Sequence, residues 1–430
     1  MILLKKMSPG RFIVLGFAFV ILLGAILLLL PISHNEGVDV SAIDALFTST
    51  SAVCVTGLIT VETAETYNVF GRIIIALLIQ IGGLGVASVG VSFLLLTKGK
   101  VSFKDRLLLK EALNLNSMKG IVKLVKVILF ITLCFEGTGV ILSYIVFAQD
   151  YPPLQALGIS LFHSVSSFNN AGFDVLGGFK SLIDYKSNVL LNLTTCGLII
   201  FGGLGFYCIQ EIVLKKSFRK FSLHTKVVIS MTISLLVSGT LLIKLTEDVS
   251  WLGAFFFSTS ARTAGFATYN VGEFTQSGLF ILILLMFVGA SPGSTGGGVK
   301  TTTAFALVKS SYSLATNRQC ASFKRRIPVE IIHRAFILVF LAAALICTST
   351  FIISILEPEY SFIQLLFEVV SGFGTVGLST GITPSLSTVS KIILILNMFV
   401  GRLGPLTMVT IWSFREASNI SYSEETITIG

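Results

Sequence analysis

The sequence predicts an all-α polytopic membrane protein with four parallel repeats around a central axis. Each repeat contains a helix, a re-entrant pore loop and a second helix, so the chain holds eight transmembrane helices and four re-entrant half-helices. Three observations predict this class: long uncharged runs, a biased distribution of Lys and Arg, and a motif that recurs four times. The repeats are placed at 1–110, 111–220, 221–325 and 326–415, followed by a cytoplasmic tail at 416–430.

Long apolar runs support the membrane prediction. Of the 430 residues, 53% are hydrophobic and 12% are charged, and the mean hydropathy is +0.89, which exceeds what a soluble core of this length needs. Each run approaches or exceeds the roughly 20 residues of a spanning helix, which gives eight spans. The runs lie at 12–32, 71–97, 127–147, 188–214, 227–245, 277–308, 335–356 and 391–414. The first is too long for a signal peptide, and no cleavage pattern follows it.

The basic residues are distributed unevenly between the predicted loops. Residues 33–71 contain no Lys or Arg, whereas basic residues cluster at 98–126, at 215–226 and at 318–334. This asymmetry follows the positive-inside rule and places both termini in the cytoplasm. The net charge of +9 is therefore explained by topology and contact with membrane lipids. No aromatic-interleaved basic patch indicates nucleic-acid binding.

The cysteines and histidines give no sign of a metal centre or a catalytic site. The six cysteines lack paired spacing such as CxxC and lie mostly in apolar runs, so we interpret them as small apolar residues. The four histidines have neither metal-ligand spacing nor a nucleophile partner. We therefore expect neither an enzyme nor a bound cofactor.

A short motif recurs four times between successive pairs of runs. In each copy, a Phe stands ten residues before a Gly that is followed by Leu or Phe. The copies are FTSTSAVCVTGL at 47–58, FHSVSSFNNAGF at 162–173, FFFSTSARTAGF at 255–266 and FEVVSGFGTVGL at 367–378. A second landmark follows each copy: IGGLG at 81–85, FGGLG at 201–205, VGASPG at 288–293 and VGRLG at 400–404. The sequence therefore repeats one unit four times.

Each motif is too short to cross a bilayer and too apolar for an exposed loop. It fits a half-helix that enters from the outer face and is followed by irregular backbone. Such backbone is tolerated at membrane depth only where protein covers it or where it lines a water-filled path. Four loops of this kind around one axis predict a pore.

The glycine of each motif predicts how the pore treats a cation. An entering ion exchanges its water for other oxygen ligands, and successive carbonyls can face the axis only at backbone angles that Gly adopts readily. The negative ends of the half-helix dipoles point to the same place. A filter is therefore predicted at 54–58, 169–173, 262–266 and 374–378. It acts mainly through the backbone carbonyls of Val55, Thr56, Gly57, Asn170, Ala171, Gly172, Thr263, Ala264, Gly265, Thr375, Val376 and Gly377.

Two alternatives bear on this filter. The glycines could merely cap short helices, an explanation that four copies in register disfavour. The four equivalent positions carry no ring of Asp or Glu, which argues against a divalent-cation site and favours a monovalent alkali ion. The residues alone do not decide between potassium and sodium.

The chain resembles the Trk/Ktr/HKT superfamily of potassium transporters, and it is most similar to the Ktr membrane subunit. The motifs TGL at 56–58, NNAGF at 169–173, RTAGF at 262–266 and GTVGL at 374–378 carry this resemblance, which covers essentially the whole chain. It implies potassium as the transported ion, because relatives with a glycine in all four filter positions are potassium-selective. Sodium is kept as a candidate activator.

The resemblance also implies partners and a location. Family members are homodimers in the bacterial cytoplasmic membrane and sit on a cytosolic ring of nucleotide-binding regulatory subunits of the RCK type. The basic segments at 98–126, 215–226 and 309–334, together with the tail from 415 to 430, are candidate docking surfaces for that ring. Lipid contact remains the alternative for any one of these residues.

The stretch SPGSTGGGVKTTT at 291–303 looks at first like a phosphate-binding loop. The required G-x-x-x-x-G-K-[ST] pattern fails because Val299 separates Gly298 from Lys300 and because a membrane run precedes the stretch. If the sixth span enters from outside near Ser277, Gly289 lies roughly 18 Å deep, near the middle of a core about 30 Å thick.

We therefore predict an intramembrane loop at 289–300 that plugs the cytoplasmic half of the pore. Its glycines and proline cannot remain helical and can move at low steric cost. The corresponding loop is regarded as the gate in the Ktr family. The predicted gate residues are Gly289, Ser291, Pro292, Gly293, Gly296, Gly297, Gly298, Lys300 and Arg402.

Three basic residues near the pore need partners. Arg402 lies too deep to reach either interface and is expected to donate hydrogen bonds to the 289–298 loop, or else to pair with Glu136 or Glu211. The family carries a gating arginine at this position. Lys300 is expected to extend to the cytoplasmic side or to add positive charge to the gate. Arg262 is expected to brace the outer end of its half-helix or to meet external acids, with a role in selectivity as the alternative.

The residues and the resemblance together predict gated potassium uptake through a carbonyl-lined filter. The alternative is an ion-coupled secondary transporter of monovalent cations with rocking repeats. Transporters of that kind commonly have inverted repeats, whereas these four repeats are parallel. Strictly stoichiometric coupling to a second ion would favour the alternative.

Overall fold

Four long helices form the frame of the computed structural model, which describes residues 9–98, 103–112, 120–410 and 425. They are α1 (Pro9–Leu29), α7 (Ile121–Phe147), α11 (Leu223–Thr246) and α15 (Val329–Leu356), each long and apolar enough to cross a membrane. Large apolar side chains are exposed along all four, among them Leu22, Phe130, Leu241 and Phe340. The chain is therefore a multi-pass membrane protein, because only lipid accommodates so much exposed apolar surface.

A short apolar helix follows each long one. These helices are α2 (Ala42–Val53), α8 (Pro153–Phe168), α12 (Trp251–Ser260) and α16 (Phe362–Gly374). Ser41, Ser250 and Ser361 cap three of their N-termini, and prolines 152 and 153 begin the fourth, as expected for helix starts. Since all four are shorter than a span, they match the predicted half-helices.

A second helix completes each unit. These helices are α4 (Val69–Leu84), α9 (Val189–Leu204), α13 (Gln276–Phe287) and α17 (Thr388–Leu403). Asn68, Asn188, Thr275 and Ser387 cap them, each by accepting a hydrogen bond from a backbone N–H of the first turn. Asp44 of α2 and Lys391 of α17 form an ion pair at 2.9 Å, which joins the first and last units.

The second helices are broken, whereas the sequence predicted continuous spans at 71–97, 188–214 and 391–414. The breaks fall at Gly85, Gly205 and Gly404, whose φ values of 84°, 90° and 87° favour glycine. α5 (Val86–Lys98) and α10 (Phe206–Lys215) leave at 98° and 97° to the helices before them, and α18 (Pro405–Thr410) follows the third break. The described residues thus hold four uninterrupted spans, or six if each of the two bent pairs counts as one.

Few other elements are present in the described ranges. Two short helices are α3 (Thr63–Thr66) and α6 (Phe103–Ala112), and α14 (Thr301–Ala315) follows the glycine-rich stretch. Strands β1 (Ala321–Ser322) and β2 (Arg325–Arg326) form an antiparallel hairpin. The main core lies between the half-helices and contains the motif residues Phe47 and Phe367, both fully buried.

Candidate ion pathway

The four motif glycines share one backbone conformation. Gly57, Gly172, Gly265 and Gly377 have φ values of 93°, 71°, 79° and 92°, a region that residues with a Cβ rarely adopt. The residues two positions earlier also have positive φ: Val55, Asn170, Thr263 and Thr375. Both positions of each segment therefore lie outside helical and extended backbone geometry.

The four glycines close a ring. A Cβ atom placed on Gly57 would overlap the carbonyl oxygen of Ala171, and one on Gly172 would overlap that of Ala264. A Cβ on Gly265 would overlap the carbonyl oxygen of Val376, and one on Gly377 would overlap that of Thr56. Each segment therefore packs against the next in the order of the chain, and the last packs against the first. No side chain fits at any of the four positions.

The ring opens into one outer cavity. A cavity of about 360 Å³ is lined by all four glycines. It is also lined by the residues two positions beyond each glycine, namely Ile59, Asp174, Ala267 and Ser379. Desolvation, followed by repulsion from Glu62, raises the pKa of Asp174 to about 7. The cavity is a vestibule in which the second repeat alone contributes a carboxylate at this position.

Serines of the half-helices support two of the segments from behind. The Ser51 hydroxyl accepts a hydrogen bond from the N–H of Gly57 at 3.0 Å, and Ser371 accepts one from the N–H of Gly377 at 3.1 Å. The same serines accept backbone bonds at their carbonyls from Thr56 and Val376. The carbonyl oxygens of Thr56 and Val376 accept no hydrogen bond from the described residues.

The third segment departs from this pattern. The N–H of Ala264 donates to the carbonyl of Ser260, four residues back, whereas the other three segments use a residue five back. Thr263 has a φ of 127°, compared with 51° to 59° at the equivalent positions. The motif residue Phe255 is only half-buried, and its neighbours Phe256 and Phe257 are buried instead. The half-helix of repeat 3 therefore ends in a tighter turn.

Glycines of the second helices pack against the half-helix ends. A Cβ on Gly82, Gly202 or Gly401 would overlap the carbonyl oxygen of Val53, Phe168 or Phe373, respectively. In repeat 3 the equivalent Gly289 contacts Gly297 of its own loop instead. The second landmark of the sequence is thus a close approach between helices in repeats 1, 2 and 4. In repeat 3 it is the start of a loop.

The predicted loop lies directly against the ring. Between the end of α13 at Phe287 and the start of α14 at Thr301, the backbone is irregular and largely buried. The N–H of Gly297 donates to the hydroxyl of Thr375 at 2.9 Å, and Gly296 packs against the Thr263 side chain. The loop therefore touches two of the predicted filter segments.

Bonds to the other repeats fix the loop in place. Ser291 and Thr295 donate backbone bonds to the carbonyls of Gly203 and Gly202, and Gly298 donates to Gly401. The Thr295 hydroxyl donates to the carbonyl of Phe168 at 3.2 Å. In addition, the N–H of Phe206 donates to the carbonyl of Gly293 at 3.0 Å.

Arg402 and Lys300 both donate to this loop. The Arg402 guanidinium donates to the carbonyl of Thr295 and, on the other side, to the carbonyls of Gly82 and Gly83. Lys300 Nζ donates to the carbonyl of Gly296 at 2.7 Å and to that of Gly297 at 3.3 Å. The Lys300 ammonium is thus directed onto the loop. Of the two expectations for Lys300, extension to the cytoplasmic side is the one that these bonds contradict.

The proposed acidic partners of Arg402 are occupied elsewhere. Glu136 accepts from the amide of Asn169 at 3.1 Å. Glu211 accepts from Ser222, Thr225 and Lys215. In the described part of the chain neither acid contacts Arg402, so the ion-pair alternative is wrong.

Two of the three interpretations of Arg262 are also wrong, and a role in selectivity stays a prediction. Arg262 follows the C-terminal end of α12, in the turn that leads to Gly265. Its side chain is 7% exposed, and its Nε has no hydrogen-bond partner. Arg262 therefore does not brace the outer end, and among the described residues it forms no ion pair.

Sequence reasoning missed two polar residues around the ring, Gln80 and Glu368, and also the bonds that Asn169 forms. The amide of Asn169 donates to Gln80 at 2.8 Å and to Glu136, which joins the first two repeats behind the second segment. Glu368 is 1% exposed inside α16. A signal was available, because an acid within an apolar half-helix motif is unusual and needs a partner.

Comparisons with known proteins agree with this architecture. The model of the TrkH family, described as cation transport proteins, matches residues 11–247 and 225–422. The chain belongs to the TrkH family. Its fold matches the crystal structure of the potassium transporter TrkH from Vibrio parahaemolyticus with a TM-score of 0.74, covering 95% of this chain and 86% of that one. At 17% identity, this match concerns the fold alone.

Two relatives illustrate a similarity that extends over nearly the whole chain. The potassium/sodium uptake protein NtpJ of Enterococcus hirae is 38% identical over 99% of this chain and 98% of its own. The Ktr system potassium uptake protein B of Bacillus subtilis is 35% identical over 99% of this chain and 97% of its own. The resemblance seen in the four motifs is therefore confirmed, and the chain is a TrkH-family cation transport protein with a helical membrane fold.

Proposed function

We propose that this protein takes up potassium across the cytoplasmic membrane through a filter of backbone carbonyls. The closed ring of four glycines supports this proposal most strongly. In each repeat, the carbonyl before the motif glycine contacts the motif glycine of a neighbouring repeat, and a dehydrated alkali ion needs several neutral oxygens at similar distances. The names of the two relatives, which specify potassium or potassium and sodium uptake, agree with a monovalent ion.

The loop at 289–300 is proposed as the gate of this pathway. It lies against the ring and is held by hydrogen bonds to repeats 2 and 4, one of them from Arg402. Two cationic side chains at its backbone place positive charge where a cation would leave the filter, which opposes passage by direct repulsion.

Growth on limiting potassium tests the proposed function. A bacterium that lacks potassium uptake should grow when it expresses this protein but not its Gly265→Ser or Gly377→Ser form. Gly197→Ser serves as the matched control, because a Cβ at Gly197 would meet no atom within 4 Å. Absence of rescue by the inserted wild-type protein, both alone and together with its regulatory ring, would contradict the proposal. Uptake in proteoliposomes with a fixed ratio to a second ion would instead support the rocking transporter.

The proposal has three further parts: control by a cytosolic nucleotide-binding ring of RCK type, a homodimeric state, and activation by sodium. The name of the Ktr-system relative refers to a multi-component system, and the hairpin at Arg325–Arg326 presents exposed basic side chains. Cross-linking and mass photometry of the purified protein, alone and with the ring, test both assemblies. Reversal of charge at Arg325 and Arg326 should weaken ring binding without changing resting flux.

A further inference from the structure

Glu368 forms a clamp inside the fourth repeat. Its carboxylate lies within the half-helix α16, where it is almost completely buried. One oxygen accepts from the Ser379 hydroxyl at 2.9 Å, from the N–H of Thr380 at 2.8 Å and from the Thr380 hydroxyl at 3.0 Å. The other accepts from the Thr383 hydroxyl at 2.6 Å. A side chain of the half-helix thereby fixes the irregular segment that follows the predicted filter.

This clamp acts on residues adjacent to the ring. Ser379 is two residues beyond Gly377, and both line the outer vestibule. Ser371 lies three residues after Glu368, on the same face of α16, and it accepts from the N–H of Gly377 on the inner side. The segment from Val376 to Thr380 is therefore held by one helix face at two points, one on each side of Gly377.

The equivalent positions in the other repeats hold nothing comparable. The residue after the motif Phe is Thr48 in repeat 1, His163 in repeat 2 and Phe256 in repeat 3. His163 bonds to Thr195 of α9 at 2.9 Å, away from the strand that follows Gly172. The Thr48 hydroxyl has no hydrogen-bond partner, and Phe256 is apolar. Among the described residues the clamp therefore belongs to repeat 4.

We propose that Glu368 is a positioning residue that sets the preference of the filter for potassium over sodium. This inference rests on the proposed function. Carbonyl coordination discriminates between ions only if the oxygens keep their spacing. If the segment after Gly377 were released, the carbonyls of Val376 and Gly377 could move toward a smaller ion. Glu368 acts through this segment and does not contact the ion itself.

Selectivity of transport in proteoliposomes tests the inference. Uptake of rubidium is measured with potassium or sodium as competitor for Glu368→Ala, Glu368→Gln and the control Glu357→Ala. Glu357 is a second buried acid, which accepts from the N–H of Ser387 away from the ring. Loss of several hydrogen bonds should lower the potassium preference of Glu368→Ala about tenfold, with a smaller change in maximal flux. Glu368→Gln retains the oxygen that accepts three of these bonds, so it should stay within about threefold of wild type.

Other outcomes separate the two proposals. An unchanged potassium preference in inserted Glu368→Ala, or an equal loss in Glu357→Ala, would overturn the role of Glu368. If Glu368→Ala fails to insert, Thr383→Val, which removes one donor, should lower the preference about twofold to threefold. No change there would overturn the role as well. Wild-type protein without potassium preference would contradict the proposed function itself, whatever the variants do.

Discussion

Repeat 3 differs from the other three repeats in both halves of the pathway. In repeats 1, 2 and 4 a glycine of the second helix packs on the end of a half-helix, and the helix bends sharply three residues later. In repeat 3 the helix ends at Phe287 and a loop occupies this level. Its half-helix also ends in a tighter turn at Ser260. Repeats 1, 2 and 4 therefore share one packing arrangement at this level, and repeat 3 replaces it with the loop that we propose as the gate.

The ring of glycines is where the repeats should still behave alike. Replacement of Gly57, Gly172, Gly265 or Gly377 by Ala should each lower rubidium flux about 100-fold, because a Cβ overlaps the neighbouring carbonyl and a positive φ is disfavoured. Tracer uptake into proteoliposomes measures this, with Gly197→Ala as control. If Gly265→Ala retained flux, repeat 3 would lie outside the filter and the comparison would fail.

The loop is where repeat 3 should behave differently. Arg402→Gln removes charged hydrogen bonds to Thr295 and to the first repeat, so resting flux should rise about tenfold. Arg72→Gln is the matched control, since Arg72 donates to the carbonyls of Tyr67 and Ala64 far from the loop. Flux in the absence of any regulatory partner is the measurement. Equal effects of both variants would show that a general loss of packing is responsible.

Thr375 tests whether the loop and the ring interact directly. Thr375→Val keeps the side-chain shape but removes the oxygen that accepts from Gly297, so the loop should open about threefold more often. Single-channel or tracer recordings at fixed potassium would show this as higher resting flux. Thr350→Val is a suitable control, because the Thr350 hydroxyl is buried without a partner. A lower flux in Thr375→Val would indicate that the hydroxyl instead serves the ion.

The smallest effect is expected in the vestibule, where the residue tested is Asp174 of repeat 2. Asp174 has a pKa raised to about 7, so it gains a proton as the external pH falls below 7 and its charge is lost. The apparent KM for potassium should rise about twofold to threefold between pH 8 and pH 6, since loss of this one charge weakens the attraction of cations to the vestibule. Asp174→Asn should show the higher KM at both pH values. A persistent pH dependence in that variant would assign the titration to another group.

The sequence was sufficient for features that depend on the local chain. The four half-helices and their glycines follow from length, apolar content and register, and the loop follows from the glycines and proline around 289–298. The contact of Arg402 with that loop was one of the two expectations for this residue. These predictions succeeded because a membrane restricts which backbone can be irregular.

Features that depend on contacts between distant residues were not predictable. The bends at Gly85, Gly205 and Gly404 lie within apolar runs that read as single spans, because hydropathy does not report helix direction. Arg262 was placed at the wrong end of its half-helix because snorkelling was assumed in place of burial. The partners of Glu368 lie 11 to 15 residues away along the chain. The conformation of the backbone between them could not be predicted from the sequence.

The loop's attachments have a thermodynamic consequence. Seven hydrogen bonds described above join it to the rest of the molecule, by way of Ser291, Gly293, Thr295, Gly297 and Gly298. At roughly 1 kcal/mol each, displacing the whole loop costs several kcal/mol, so the displaced form would be populated less than about one part in a thousand at rest. If that form is the conducting one, the protein is almost silent by itself. Any physiological transport rate must then be driven by work done on it from outside the bilayer.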